Sequence, residues 1–282
     1  MTFHRITVGV IGLCAWWLGT PLQAELIIKE TFTGYLDNAL ISDSPAGPAL
    51  GLAGDWTLTA DDSDFFVNKT RDDDNAGTGK AVYERPPGYN GVRTATRSTS
   101  AEHVLFENDD DVFYASFLID PALTSGRMTF ELTLTQFDGG GAPNFAFGLK
   151  DGTYIVGNGG VDVDASGGTA TAGEQLVLVR IEYGAADSGP GVDEVVTLWV
   201  DPVDEFSTPK INGVSTDFLN NGGGKITAVS IRGEQMNGHP AFFDNLRVGS
   251  SFAAVVPEPS TLSLSALALL ALGLIAVIRR CR

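Results

Sequence analysis

Residues 128–137 read MTFELTLTQF, and the fold turns on their spacing. Met128, Phe130, Leu132, Leu134 and Gln136 fall on one parity, and Thr129, Glu131, Thr133, Thr135 and Phe137 on the other. A helix would scatter these apolar residues around its axis. A strand, whose side chains alternate with period two, gathers them on one face. The segment is expected to be a half-buried strand with its apolar face on a core.

Similar text recurs on both sides of it. Short β-branched and aromatic runs stand at Leu26–Ile28 with Phe32, Val112–Ile119, Asn144–Leu149, Gln175–Tyr183, Glu194–Val200, Lys225–Ile231 and Ala241–Val248. Between the two ends of the chain no helical periodicity intervenes. Turn formers separate the runs, among them Asp138-Gly139-Gly140-Gly141, Asp151-Gly152 and Asn221-Gly222-Gly223-Gly224. Asp151-Gly152, between GLK and TYIVG, is the sharpest hairpin signal. Gly-punctuated antiparallel strands over most of the chain imply an all-β, two-sheet sandwich. No internal repeat is visible, so residues 25–253 read as one domain. Pro45–Ala60 and Val67–Gly91 read as long polar loops over the sandwich edges, with Trp56 beginning a strand after Gly54-Asp55.

The two ends read differently. Arg5, the apolar run Ile6–Leu18 and the sequence Thr20-Pro21-Leu22-Gln23-Ala24 form the charged, apolar and cleavage regions of a secretory signal peptide over residues 1–24. Its core is too short to span a bilayer comfortably, since a crossing helix needs about 20 apolar residues. At the other end, a linker at 254–261 carries Pro257-Glu258-Pro259, and Leu262–Ile278 is an apolar run followed by Arg279, Arg280 and Arg282. That run is expected to be a single transmembrane helix, with the arginines on the cytoplasmic side.

Charge and cysteine usage exclude several functions. The chain carries a formal charge of −17, and the two ends hold four of its 18 Lys and Arg but one of its 35 Asp and Glu, so the region between is more acidic still. Such a surface repels nucleic acid, anionic lipid and acidic polysaccharide, and a nucleic-acid partner is dismissed. Cys14 and Cys281 both lie in the terminal segments, which leaves the middle without disulfides, thiolate catalysis or Cys-based metal sites.

The succession Val256-Pro257-Glu258-Pro259-Ser260-Thr261, apolar helix and Arg-rich end resembles the PEP-CTERM sorting signal of bacterial exported proteins. That resemblance implies removal of the tail by an exosortase, after transient residence in the inner membrane, and delivery to the cell surface or the extracellular polysaccharide matrix. The order of IIKETFTGY, Gly54-Asp55-Trp56, FYASFLI, NFAFGL, LVLVRIEYG, VTLWVDP and FFDNLRVGSSFAAV resembles a laminin-G-like, concanavalin A-like jelly roll. It implies a fold and an exported setting more than an activity. Expected partners are the secretion machinery, an exosortase and extracellular polysaccharide.

Three chemistries bear on function. Retaining glycosidases need two carboxylates about 5 Å apart, and laminarinase-like relatives carry Glu-x-Asp-x-x-Glu on one strand. That string is absent, and the adjacent pairs Asp193-Glu194 and Asp204-Glu205 would point to opposite faces of a strand. His103 and His239 lack a Gly-x-Ser-x-Gly elbow and read as surface or loop residues. The chain is therefore expected not to be an enzyme. For calcium, Asp72-Asp73-Asp74-Asn75, Asn108-Asp109-Asp110-Asp111, Asp162 with Asp164, and Asp244 offer oxygen ligands, but none fits the EF-hand loop. The jelly-roll resemblance implies a structural calcium between first and last strands, which would fall to Asp244 and Glu30. For sugar binding the available rings are Trp56, Tyr83, Tyr89, Tyr154 and Trp199; Trp56 and Trp199 read as core, and Tyr89 as the best-exposed ring. The functional expectation is an exported structural or carbohydrate-interacting protein, with a lectin-like module and a polysaccharide-degrading enzyme as alternatives.

Overall fold

The computed structural model describes residues 25–32, 35, 40–43, 49–59, 65–68, 80–83, 92–104, 111–120, 126–136, 144–158, 165–183, 194–216, 224–234 and 241–257. The signal peptide and the helical tail expected from the sequence lie outside these residues.

In chain order the strands are β1 (Leu26–Glu30), β2 (Leu52–Leu58), β3 (Phe65–Asn68), β4 (Lys80–Tyr83) and β5 (Val92–Val104). Next come β6 (Val112–Asp120), β7 (Arg127–Gln136), β8 (Phe145–Lys150), β9 (Thr153–Asn158) and β10 (Ala165–Thr169). The last are β11 (Gln175–Glu182), β12 (Glu194–Val200), β13 (Ile211–Thr216), β14 (Gly224–Glu234) and β15 (Ala241–Gly249), before a short helix, α1 (Phe252–Val255). Each run read from the sequence contains a strand, although Phe32, read with the first, lies beyond β1 with a φ of 51°. Asp151 and Gly152 close the β8–β9 hairpin with φ of 49° and 71°, the two positive values that a type I′ turn demands. Two strands fall inside stretches expected to be loops, β2 within Pro45–Ala60 and β4 within Val67–Gly91. Trp56 sits inside β2 rather than at its start.

An eight-stranded sheet runs β13-β12-β11-β6-β15-β4-β3, with β1 also on β15; a seven-stranded sheet runs β10-β9-β8-β7-β14-β5-β2. All pairings among the described strands are antiparallel. The chain steps between sheets at β5–β6–β7 and again at β13–β14–β15, and the first strand pairs with the last. This is the jelly-roll sandwich. The sheets meet through apolar residues of alternate parity: the Phe117 ring lies 5.9 Å from Phe130 and 5.3 Å from Phe147 of the opposite sheet, and 5.7 Å from Phe243 in its own. Met128, Phe130, Leu132 and Leu134 are all in this core.

The eight-stranded sheet has a second, smaller apolar cluster on its outer face. Tyr114, Leu178 and Trp199, whose sequence neighbours point inward, pack there against Phe252 and Val255 of α1. Ser251 caps α1, its hydroxyl accepting from the Ala254 N–H at 3.3 Å. Two side chains of the sheet then hold the departing chain: the Ser116 hydroxyl donates to the Val255 carbonyl at 2.6 Å, and the Arg247 guanidinium to that of Val256 at 3.1 Å. The packed structure thus continues past residue 253, where the sequence placed the start of the linker, to Val256.

Candidate functional site

The outer face of the seven-stranded sheet carries polar chemistry at its centre. Register sets Glu131 of β7 opposite Ser230 of β14, Ser230 opposite Thr96 of β5, and Arg232 between Thr129 and Thr94. The Thr96 and Ser230 hydroxyls lie 2.9 Å apart. Thr129 donates to Glu131 Oε1 at 3.3 Å, and Arg232 Nη1 stands 3.8 Å from the same oxygen. Arg232 Nη2 reaches Glu234 at 3.5 Å. On the other side of Glu131 the sheet presents small residues, Ala146 opposite it and Gly148 opposite Thr129. Gly148 has φ of 149°, and a Cβ there would stand 2.3 Å from the Met128 carbonyl oxygen, so the close pairing of β7 and β8 depends on glycine.

Glu131 and Thr129 were expected on a solvated face, yet both are buried, Glu131 to 2% exposure. Burial pushes the Glu131 carboxyl above its ordinary 4.5, against the pull of Arg232, Arg127 and hydrogen bonds from Asn144 and Thr129. Ser230 is buried as well, so the groups of this row left partly open are the Thr94 and Thr96 hydroxyls and the Arg232 guanidinium, which at strand spacing can exchange hydrogen bonds with a polyhydroxylated ligand. The sequence did not point to this group. A Glu alternating with threonines looks like any solvated strand face, and its pairing with Arg232 appears once the β7–β14 register is known.

The implied calcium pair behaves otherwise. Glu30 alternates into the sandwich interior, where its carboxylate accepts from the Arg97 guanidinium, from the Tyr35 hydroxyl at 3.0 Å and from the Phe32 N–H at 2.8 Å. Trp56 Nε1 donates to the Tyr35 oxygen at 2.9 Å. Burial raises the Glu30 carboxyl, while Arg97 and these donors oppose the rise. Asp244 follows the core residue Phe243, so it takes the opposite parity and points away from the interior; it accepts from the Asn245 N–H at 2.7 Å. The two carboxylates thus lie on opposite faces of one sheet, and one already holds a guanidinium. These residues do not fit a shared calcium ion. Among the described residues no group of three or more His, Cys, Asp or Glu could hold a metal.

The remaining candidates disperse. Trp56 and Trp199 are core residues, as read, and Tyr154 is buried too, its hydroxyl bonded to Gln175 and pushed up to about 12 by burial. Glu194 is buried in β12, and Asp204 and Glu205 share an exposed turn. His103 lies in β5. Tyr89, His239, Asp72–Asn75, Asn108–Asp110, Asp162, Asp164, Glu258 and Pro259 fall outside the described residues, as does the Tyr83 ring. Pro257 is the last described residue.

Residues 255–282 match the PEP-CTERM protein-sorting motif, which implies exosortase-dependent export and membrane-anchored passage. No curated protein matches the sequence. Among solved structures the chain is similar to the globular domain of T. cruzi calreticulin, at 10% identity, covering 82% of this chain and 90% of that one, with a TM-score of 0.44. It is similar to a cellulose-induced protein, Cip1, at 15% identity, covering 70% and 91%, with a TM-score of 0.42. It is also similar to winged bean acidic lectin complexed with methyl-α-D-galactose, at 13% identity, covering 79% and 98%, with a TM-score of 0.40. Likeness at this level says nothing of ligand or chemistry.

Proposed function

We propose that this chain is an exported, non-catalytic sandwich protein that its C-terminal signal delivers to the cell surface or the extracellular matrix of a bacterium. There, the outer face of the seven-stranded sheet binds polysaccharide. The observation that carries the destination is the sorting motif at 255–282, joined to a folded domain whose last carbonyls are held by Ser116 and Arg247. In this reading residues 1–24 enter the secretion machinery and are removed. Pro257-Glu258-Pro259, stiff and extended, is offered to an exosortase just outside the inner membrane.

The binding part rests on Thr94, Thr96 and Arg232, which keep partial exposure and are braced from beneath by the buried Ser230, Thr129 and Glu131. The strongly acidic surface disfavours anionic chains, so the ligand class is a neutral polysaccharide. Affinity electrophoresis of the host-processed protein through gels containing neutral polysaccharides tests it. The wild type should be retarded by at least one of them. The double variant Thr94→Ala/Thr96→Ala, which leaves the charges of Glu131, Arg232 and Arg127 together, should run about tenfold less retarded at unchanged circular dichroism. Equal retardation of the two would move the ligand elsewhere.

One observation favours a second reading, polysaccharide cleavage: a carboxyl raised by burial, as at Glu131, is what a general acid needs. Its partner is the difficulty. Glu234, the other carboxylate that Arg232 reaches, lies four residues along β14 from Ser230, roughly 13 Å at strand rise, with Arg232 between. Release of reducing ends from a polysaccharide panel, lost in Glu131→Gln, would establish cleavage over binding.

A further inference from the structure

Beside the point where the chain departs, a turn presents two apolar side chains to solvent. Val203 is 89% exposed and Phe206 is 94% exposed. The turn is rigidly built. The Val203 and Asp204 N–H groups donate to the Ser207 hydroxyl at 3.2 and 3.3 Å, and that hydroxyl donates to Asp204 Oδ1 at 3.1 Å. The Phe206 N–H donates to the same carboxylate oxygen at 3.0 Å. Trp199 Nε1 anchors the turn through the Ser207 carbonyl at 2.8 Å, and the Tyr114 hydroxyl reaches Glu205 at 3.3 Å. Val203 and Phe206 are therefore held outward by their backbone. Between this turn and the exit lies an open groove of about 470 Å³, lined by Val203, Phe206, Phe252, Ala253, Val256 and Pro257.

From this geometry we infer that the turn and groove form a membrane-seating surface, by which the tail-anchored precursor rests on the outer leaflet of the bilayer that holds its tail. The inference rests on the membrane-anchored passage that the sorting motif implies. Four residues, 258–261, separate Pro257 from the apolar run that starts at Leu262, so the groove cannot lie more than roughly 18 Å along the chain from the hydrocarbon edge. The polar headgroup layer takes up about 6 Å of that distance. Ser116 and Arg247 fix where Val255 and Val256 leave the sheet, which prevents the domain from turning this face away freely. Leu26 pairs with Gly249 and the Ser250 N–H donates to the Glu25 carbonyl, so the N-terminal end of the domain emerges at the same place. An exposed Phe and Val on a rigid turn, held this close to a bilayer, partition into its headgroup–acyl boundary. Asp204 and Glu205 sit between them and set the lipid class: the seat favours zwitterionic phospholipid and is weakened by anionic lipid. Seating holds Pro257-Glu258-Pro259 at a constant height for the protease and releases the domain once the tail is cut, because two side chains alone hold a protein to a membrane weakly.

The test uses the full chain reconstituted into phosphatidylcholine vesicles with brominated acyl chains, with Phe206→Trp and, as a control on the other sheet, exposed Lys150→Trp. Near-complete exposure of Phe206 makes its substitution harmless to folding. The fluorescence added by Phe206→Trp should be quenched at least about twofold more than that added by Lys150→Trp, and less so as phosphatidylglycerol replaces phosphatidylcholine. Resistance of the chain to carbonate extraction reports separately on the anchor. Equal quenching of the two variants in an extraction-resistant chain overturns the seating surface and leaves the sorting reading intact. Quenching difference that arises only when the exosortase is co-reconstituted assigns the surface to that protein and overturns the lipid contact. A fully extractable chain overturns both.

Discussion

Two glutamates, one inside the sandwich and one on its outer face, show how similar ion pairs serve different ends. Glu30 meets Arg97 across the interior, where Tyr35 and Phe32 occupy its remaining lone pairs. Breaking a buried pair leaves an uncompensated charge, so Arg97→Met should cost about 3–5 kcal/mol in urea unfolding. A loss below 1 kcal/mol would show that the pair is not buried in solution. Glu131 is tied more loosely, at 3.8 Å from Arg232, and its carboxyl is raised by burial. A carboxyl raised in the folded state binds protons more readily there than in the unfolded chain. Its stabilising contribution is complete below about pH 4.5 and is lost as pH rises through the raised value. Between pH 4.5 and 7, the wild type should lose melting temperature relative to Glu131→Gln; parallel curves would contradict the raised carboxyl. Neither pair was legible in the sequence. Glu30 was assigned to an ion with Asp244, because the resemblance supplied a first and last strand but not the parity that places the two on opposite faces.

Element by element, what the sequence announced depended on where the apolar side chains point. β7 follows the rule that apolar parity faces the core, and MTFELTLTQF gave it away. β5 inverts the rule: Arg97 faces inward to Glu30, while Thr94, Thr96 and Ser98 face out. A segment reading VRTATRSTSAEHV has no apolar stripe to find. β2 hides for another reason, with Gly54 at φ 65° and a register break between Ala53 and Thr57. β4 is four residues long and flanked by polar text. A close element contact lies between β7 and β8 at Gly148. Gly148→Ala forces a methyl group against the Met128 carbonyl and should destabilise the domain by about 1–3 kcal/mol, read as a lowered melting temperature. An unchanged melting temperature would mean that the strands separate at no cost, contrary to the register described.

For the molecule as a whole, the acidic sandwich and the basic, apolar tail are parts with separate tasks. The tail was the most legible piece of the sequence, since Pro-Glu-Pro, apolar run and arginines stand in a fixed order within residues 255–282. The proposed binding face was the least legible, because Thr94, Thr96 and Arg232 stand on two strands that only the folded register brings side by side. In the function proposed above, the protein works as the sandwich alone, after both ends have been removed. Intact-mass spectrometry of the protein recovered from its host tests this directly. The expected mass is that of a chain that begins at Glu25 and has lost the apolar run from Leu262 to Ile278 with the arginines behind it. A mass that still includes Arg282 would contradict it and make the protein a permanently anchored one.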